Sequence, residues 1–245
     1  MGVEWTIFLV VAVIFVATLF RSAFGFGEAL IAVPLLALLI PVEEAVPLAT
    51  LVSITVAAIV VAQDWHKIHV GSAGWLVIST LFGIPLGLWL LAADAEAVVK
   101  AILAVVIIGF SSYCLVSRSQ YELKNDRLAW LFGFGAGVLG GAYGMNGPPL
   151  VIYGSLRHWS PEHFRATLQG YFLPASLLGM CGYWLAGLWI PAVTRYYLWS
   201  LPLALAAIFL GRAINRRMRG RSFLRYIHVG LLLIGTLLLI QSMRR

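Results

Sequence analysis

Charged side chains are scarce in this sequence. They make up 11% of its 245 residues, about half the share that is usual in a soluble domain. Hydrophobic residues make up 61%, and several apolar runs approach or exceed the roughly 20 residues with which a helix crosses a bilayer. The composition therefore predicts an all-α polytopic membrane protein and argues against a soluble enzyme or binding domain.

Cysteine is nearly absent, and the usual metal and nucleotide motifs are missing. Cys114 and Cys181 both lie in apolar segments, so we interpret them as small buried hydrophobic residues. His66 and His69 are spaced like metal ligands, but only Asp64 lies nearby to join them, so no metal is predicted. The sequence has no Gly-x-x-x-x-Gly-Lys-[Ser/Thr] motif. No cofactor is predicted, and direct use of ATP would need another subunit.

The net charge of +7 is concentrated in one segment instead of being spread along the chain. Six arginines crowd residues 212–225, a segment that the hydropathy pattern makes a loop: Arg212, Arg216, Arg217, Arg219, Arg221 and Arg225. The positive-inside rule places that loop in the cytoplasm. Anionic lipid of the inner leaflet is its natural contact, and nucleic-acid binding is not predicted.

The apolar runs define ten segments and one consistent topology. The segments are 5–22, 26–40, 45–62, 71–92, 97–116, 128–142, 147–157, 164–186, 192–211 and 226–242. If each one crosses the membrane, only Lys100, Arg195, Arg244 and Arg245 lie outside, which leaves 13 of the 17 basic residues in the cytoplasm. Both termini are then external. The expected location is the cell membrane, of the bacterial inner-membrane type.

The sequence also contains a weak internal repeat. The stretch AFGFGEAL, from residue 23, is answered by AYGMNGPP, from residue 142. Five segments precede residue 120 and five follow, so two such halves would insert with opposite orientation, as in many secondary transporters. We therefore predict two inverted-topology repeats, 1–120 and 121–245, within one membrane domain of 8–10 membrane segments.

Both members of the repeat contain residues that break a helix at membrane depth. Discontinuous or re-entrant helices are expected at residues 24–40 and 142–157. The sequence does not decide whether the apolar segments within them, 26–40 and 147–157, cross the membrane fully or re-enter it. An unpaired backbone amide in hydrocarbon costs several kcal/mol, so such breaks occur where protein or water satisfies the backbone. In transporters they lie near the midplane and bind the cargo.

Each break has a predicted helix start. Asn146 is expected to be an N-cap, with Pro148 and Pro149 in the first turn of a helix over 148–157. Gly25–Phe26–Gly27 is expected to start a helix at Glu28 or Ala29. Helix N-termini carry free N–H groups and partial positive charge, which favour an anion.

At these residues the sequence resembles the TauE/SafE family of sulfite and organosulfonate exporters. The resemblance is carried by GFGEALIAVPLLALLIPVEEAVPLAT (25–50) and GGAYGMNGPPLVIYGSLRHWSPEHFRATLQGYF (140–172), and the two-half pattern extends along nearly the whole chain. The family commonly has three glycines where this chain has Gly27–Glu28–Ala29. The resemblance implies transport of a small anion, often sulfur-containing, across the plasma membrane.

Glu28 is the only acidic residue that the pattern places away from a loop. An ionisable group inside the membrane is a functional hypothesis by default, so Glu28 is our candidate for proton coupling. The alternative is a helix cap or a partner for Arg21. Arg157 and Arg165 are interpreted as charges that set the topology.

The candidate substrate-binding residues are the polar and glycine residues of the two breaks and of the segments after them. They are Gly25, Gly27, Glu28, Thr50, Tyr143, Gly144, Asn146, Gly147, Pro148, Thr167 and Gln169. Capping remains the alternative for Asn146, and interfacial anchoring for Tyr143. Interhelical hydrogen bonding is the alternative for the two threonines and the glutamine.

The predicted function is a secondary transporter for a small anion of the sulfite or organosulfonate class. The alternatives are an integral membrane enzyme, such as a lipid-diphosphate phosphatase, and an uncoupled anion channel. No catalytic residues are assigned, because the membrane interior offers a single glutamate where such an enzyme needs converging acid and base groups. The expected partners are the anion and membrane lipid. Direction, coupling ion, exact substrate and oligomeric state, including a homodimer, stay open.

Overall fold

A computed structural model describes residues 3–36, 38–92, 104–105, 108–109, 111–112, 115–116, 122–143, 146–185, 187–218 and 220–243. All regular structure in these ranges is helical. The all-α prediction is confirmed for this part of the chain. The predicted segment 97–116 lies largely outside the described residues, and Cys114 lies outside them entirely. The expectation that Cys181 is buried is wrong, because it lies in a part of its helix where large apolar side chains are exposed as well.

The helices of the described residues match the other nine apolar segments. They are α1 Val3–Phe24, α2 Glu28–Leu36, α3 Val42–Asp64, α4 Val70–Ala92, α5 Ala129–Tyr143, α6 Gly147–Leu156, α7 Pro161–Leu185, α8 Pro191–Arg217 and α9 Gly220–Met243. Short 3₁₀ turns cover Trp65–Lys67 and Asp126–Leu128.

Four of these helices contain stretches that are long and apolar enough to cross a membrane. The stretches are Glu4–Phe24, Glu43–Lys67, Val70–Gly87 and Pro191–Arg217. Many large apolar side chains on them are exposed, among them Phe8, Phe82, Leu198 and Phe209. Apolar surface of this kind is stable when lipid covers it. The helices fit a polytopic membrane protein, while the count of 8–10 crossings and the re-entrant segments stay predictions.

The arginine-rich segment is more helical than expected. The hydropathy pattern predicts a loop over 212–225, but α8 continues to Arg217 and α9 begins at Gly220. The expected loop is wrong, because arginine is a good helix former. Arg216 and Arg217 also lie in the last turn of α8, where their positive charge interacts favourably with the helix dipole and stabilises the helix end.

The contacts divide the chain into two compact units. The first unit is Met1–Val70 with Pro161–Arg217, and the second is Gly71–Ser160 with Met218–Arg245. This division follows packing, whereas the predicted repeats 1–120 and 121–245 concern the order of segments along the chain. The repeats therefore stay a prediction.

The first unit has an apolar core formed by α1, α2, α3 and α8. In α1, Val10, Ile14 and Ala17 are fully buried and share one face of the helix. Their partners in the core include Leu36, Leu48, Val52, Val56, Ala204 and Ile208. A Cβ on Gly211 would collide with the backbone of Ser22 and Ala23. The glycine therefore lets α8 approach the end of α1 closely.

In the second unit, small residues bring α4 and α5 together. A Cβ added to Gly133 or Gly137 would collide with α4, at Leu76 and Thr80 respectively, and one added to Gly83 would collide with α5. Thr80 Oγ1 also donates a hydrogen bond to the Gly133 carbonyl at 2.8 Å. Close glycine-mediated packing is a common way for membrane helices to associate.

Candidate functional site

The first break separates α1 from α2 at Gly25, Phe26 and Gly27. Gly25 has φ +90° and Gly27 has φ +93°, values that glycine adopts far more readily than other residues. A Cβ on Gly25 would also lie 3.0 Å from the Cα of Arg165 in α7. The predicted break and the predicted helix start at Glu28 are both confirmed.

Side chains from α7 and α8 satisfy carbonyl groups that α1 leaves unpaired at its end. Arg165 Nε donates to the Ser22 carbonyl at 2.7 Å, Asn215 Nδ2 to that of Ala23 at 2.7 Å, and Gln169 Nε2 to that of Gly25 at 3.0 Å. Protein groups therefore replace the helical hydrogen bonds that the break removes. This is the condition under which a broken helix is tolerated at membrane depth.

Arg21, in the last turn of α1, is the centre of a buried polar cluster. Its guanidinium donates to Gln169 Oε1 from Nε at 3.1 Å and from Nη2 at 2.7 Å, and from Nη1 to Ser53 Oγ at 2.6 Å. The Phe172 ring centre lies 4.9 Å from its Cζ, within the range of a cation–π contact. We call Thr18, Arg21, Glu28, Ser53, Gln169 and Ser176 the Arg21 cluster.

Glu28 pairs with Arg21. The carboxylate accepts a hydrogen bond from Arg21 Nη1, and the two side chains are only 3% and 5% exposed. Thr18 Oγ1 lies 3.4 Å from the other carboxylate oxygen. The pair forms across the glycine break and not along a continuous helix. The structure thus contains the partnership with Arg21 that the sequence analysis offers as an alternative, and proton coupling stays a separate prediction.

Three other predicted substrate-binding residues differ in the contacts that they make. Gln169 lies in the Arg21 cluster with Glu28, and it donates to the carbonyl of Gly25. Thr50 Oγ1 donates to the Val46 carbonyl of its own helix at 2.9 Å. Thr167 is fully buried and accepts from the backbone N–H of His69 at 3.1 Å, which ties that segment to α7. Substrate contact by either threonine stays a prediction.

The second break belongs to the second unit and starts α6. Asn146 occupies the N-cap position, Gly147 begins the helix, and Pro148 and Pro149 lie in its first turn, as expected. The Asn146 side chain makes no capping hydrogen bond, however, so that expectation is wrong. Its backbone is helical, with φ −79° and ψ −10°, whereas a capping side chain normally requires an extended residue.

Two predicted residues of the second break cannot be placed. Gly144 and the side chain of Tyr143 lie outside the described residues. A Cβ added to Gly140 of α5 would lie 3.4 Å from the Cβ of Asn146. Asn146 therefore packs close to α5, and its part in substrate binding stays a prediction.

A second set of buried charges centres on Asp64, in the last turn of α3. Its carboxylate accepts from Arg165 Nη1 at 3.0 Å and from Arg212 Nη2 at 2.8 Å, and lies 3.4 Å from Lys67 Nζ. The predicted segment 45–62 leaves Asp64 in a loop, which is wrong because α3 runs two residues past the predicted end. We call Asp64, Lys67, Glu162, Arg165, Arg212 and Arg216 the Asp64 network.

Glu162 completes the network from the start of α7, before the apolar part of that helix. It accepts a hydrogen bond from Lys67 and lies 3.9 Å from Arg216 Nε. The hydrogen bond and charge of Lys67 hold the pKa of Glu162 below its usual range. Arg165 is interpreted from sequence as a topology signal, but its guanidinium is buried and joins both the break and this network.

The chain is a helical membrane protein whose first helix pair is broken around a buried arginine and glutamate, an arrangement typical of transporters. The sequence matches the family described as sulfite exporter TauE/SafE over residues 10–239. The chain therefore belongs to the TauE/SafE family, and the resemblance is confirmed. Neither a curated protein nor a solved structure matched the chain.

Membership of this family places the protein among exporter-like membrane transporters. The matched range includes both breaks and the whole Arg21 cluster. Ser53, Ser176 and Asn215 of the site region are absent from the sequence-based candidates. Serine and asparagine are common in membrane helices as packing residues, so no local signal singles these three out.

Proposed function

We propose that the protein is a secondary transporter that carries a small anion of the sulfite or organosulfonate class across the cytoplasmic membrane. We propose further that the anion binds to Arg21 at the first break. The observation that carries the proposal is the buried Arg21 guanidinium beside a broken helix in a chain of this family. An ionisable group in such a place marks a substrate or ion pathway more often than a purely structural role.

The chemistry of the Arg21 cluster suits an oxoanion. A guanidinium presents N–H donors in a planar fork that matches two oxygens of a sulfite or sulfonate group. Ser53 and Ser176, which share a hydrogen bond of 2.8 Å, offer hydroxyl groups beside it. The N-terminus of α2 adds partial positive charge. These groups are neutral or positive, with Glu28 as the exception.

Glu28 supplies a mechanism for proton coupling. Its carboxylate and a cargo anion are competing partners for Arg21, because both need the guanidinium to offset their charge. Protonation of Glu28 removes its charge and releases Arg21 for the anion. Anion and proton therefore bind together, and the gradients of both set the direction of transport.

The second break supplies the remaining proposed contacts. In transporters with inverted repeats, each repeat provides one broken helix to a site near the midplane. On that general pattern we propose Tyr143, Gly144, Asn146, Gly147 and Pro148 as the substrate contacts of the second break. Pro148 and Pro149 have no backbone N–H, so the Gly147 N–H and the Asn146 side-chain amide are the donors that we expect to act.

Counterflow in proteoliposomes tests the function. Vesicles loaded with sulfite, sulfoacetate, taurine, sulfate or simple carboxylates are assayed for uptake of labelled sulfite. We expect exchange with the sulfur oxoanions, and a loss of about tenfold or more in Arg21→Lys, because an ammonium lacks the planar fork. Arg195→Lys, an exposed arginine of α8, is the matched control and should behave as wild type.

The same assay separates the alternatives. An enzyme would convert its substrate in detergent, where no compartment exists. A channel would pass anions at a rate that does not respond to a pH gradient. Failure of every tested anion to exchange in folded protein would contradict the proposed transport.

A further inference from the structure

The Asp64 network carries more positive than negative charge. Among the described residues it contains four cations, Lys67, Arg165, Arg212 and Arg216, and two carboxylates, those of Asp64 and Glu162. The excess is two positive charges. Arg216 is 52% exposed, so solvent screens its charge, whereas Arg165 is buried. A buried charge is costly unless it is fully paired, so an anion bound beside Arg165 and Arg212 would stabilise the network.

Two guanidinium nitrogens of the network have no hydrogen-bond partner within the part of the chain that the structure describes. They are Arg165 Nη2 and Arg212 Nε, both of them buried atoms. The Arg165 side chain as a whole is 2% exposed. Buried N–H groups are nearly always paired in native proteins, and an unpaired one costs about 1–3 kcal/mol. The unused donors therefore point to a ligand.

The two arginines are already held side by side. Arg165 contacts one oxygen of the Asp64 carboxylate and Arg212 contacts the other. Asp64 thus keeps two guanidinium groups together at one point. Such a pair of guanidinium groups can bind the oxygens of one small oxoanion.

The network also adjoins the first break. Arg165 and Gln169 are four residues apart in α7 and therefore lie on one face of that helix. Gln169 contacts Arg21, while Arg165 Nε contacts the carbonyl of Ser22, the next residue of α1. The two sets of charges lie one helical turn apart along α7.

We propose that Arg165 and Arg212 form a second binding site for a small oxoanion, which the cargo occupies on its way to or from Arg21. The identity of the ligand as the cargo rests on the proposed function. The binding of an oxoanion at this site does not depend on that function. Asp64 pairs with both arginines when the site is empty, so its carboxylate competes with the anion for them. The phosphate of an anionic lipid has the same chemistry, but the burial of Arg165 favours a small free anion.

Sulfite binding to detergent-purified protein, measured by titration calorimetry, tests the site. We expect two binding events in wild type, and one of them should persist in Arg21→Lys. In that background Arg212→Gln should weaken the remaining event about tenfold, and Asp64→Asn should strengthen it about tenfold, which is the usual effect of one neighbouring charge. Arg195→Gln, an exposed arginine of the same helix, should leave it unchanged.

The outcomes distinguish this site from the proposed function. Arg212 is partly exposed, so we expect Arg212→Gln to fold. The test therefore stands even if Asp64→Asn fails to fold. Unchanged sulfite affinity in folded Arg212→Gln would overturn the second site, even if wild-type vesicles transport sulfite. Binding of phosphatidylglycerol in nanodiscs without binding of sulfite would assign the site to lipid and overturn the proposal. Intact binding in a protein that transports nothing would overturn the transport function and leave the site standing.

Discussion

The Arg21 guanidinium and the Glu28 carboxylate form a buried ion pair across the break between α1 and α2. The pair connects the two ends of the interrupted helix through their side chains. Replacing one member of such a pair leaves an uncompensated buried charge, which typically costs 3–5 kcal/mol. In the proposed mechanism the cargo anion takes the place of Glu28, so Arg21 always has a partner.

Gly25 is expected to be irreplaceable for two separable reasons. Gly25→Ala places a Cβ 3.0 Å from the Cα of Arg165 at φ +90°, so we expect a loss of about 1–3 kcal/mol in stability and of nearly all transport. Gly187→Ala is the matched control, because Gly187 also has a positive φ, +73°, but a Cβ there meets no atom of the described residues within 4 Å. Unfolding in detergent and counterflow measure the two effects. Equal behaviour of both variants would show that close approach to α7 is unimportant.

Gln169 should matter more for stability than a half-buried glutamine whose amide oxygen has no partner among the described residues. Gln169→Leu removes the acceptor of two Arg21 hydrogen bonds and the donor to the Gly25 carbonyl. We expect a destabilisation of about 2–4 kcal/mol, since bonds to charged groups are the stronger ones. Gln63→Leu is the control, because its Oε1 has no partner within the described ranges. Equilibrium unfolding in mixed detergents compares the two variants, and an equal loss would contradict the assigned bonds.

The predicted topology puts the start of α3 and the end of α8 on opposite sides of the membrane. Cysteine at Glu43, beside the start of α3, should react with an impermeant thiol reagent added to intact cells. Cysteine at Met218, after α8, should react only in opened cells, because the positive-inside rule predicts that the arginine-rich segment is cytoplasmic. Both native cysteines are first replaced, since Cys181 is exposed. Labelling of both positions from outside would contradict the scheme.

The sequence predicted the breaks well because their cause is local. Glycines 25 and 27 and prolines 148 and 149 restrict the backbone at their own positions, so helix starts at Glu28 and Gly147 follow to within one residue. The family was recognisable from the same residues.

The partners at the break were much harder to predict. Gln169 lies 148 residues from Arg21, and Asn215 lies 192 residues from Ala23. Such pairs depend on how α7 and α8 pack against α1, which no local pattern encodes. The burial of Asp64 was missed for a similar reason, because its polar neighbours in sequence resemble a loop while its contacts come from distant arginines.

Glu28→Gln tests whether Glu28 and the cargo anion compete for Arg21. The amide keeps the shape of the protonated carboxyl group but cannot exchange a proton, so the variant should still bind and exchange anions. It should lose transport driven by a pH gradient. Glu43→Gln, an exposed glutamate at the start of α3, is the control and should keep both activities.

Anion exchange and pH-driven uptake of labelled sulfite are measured side by side in vesicles of Glu28→Gln. We expect anion exchange that is preserved and independent of pH, with gradient-driven uptake reduced to the background of empty vesicles. Gradient-driven uptake with the pH dependence of the wild type would contradict the competition for Arg21.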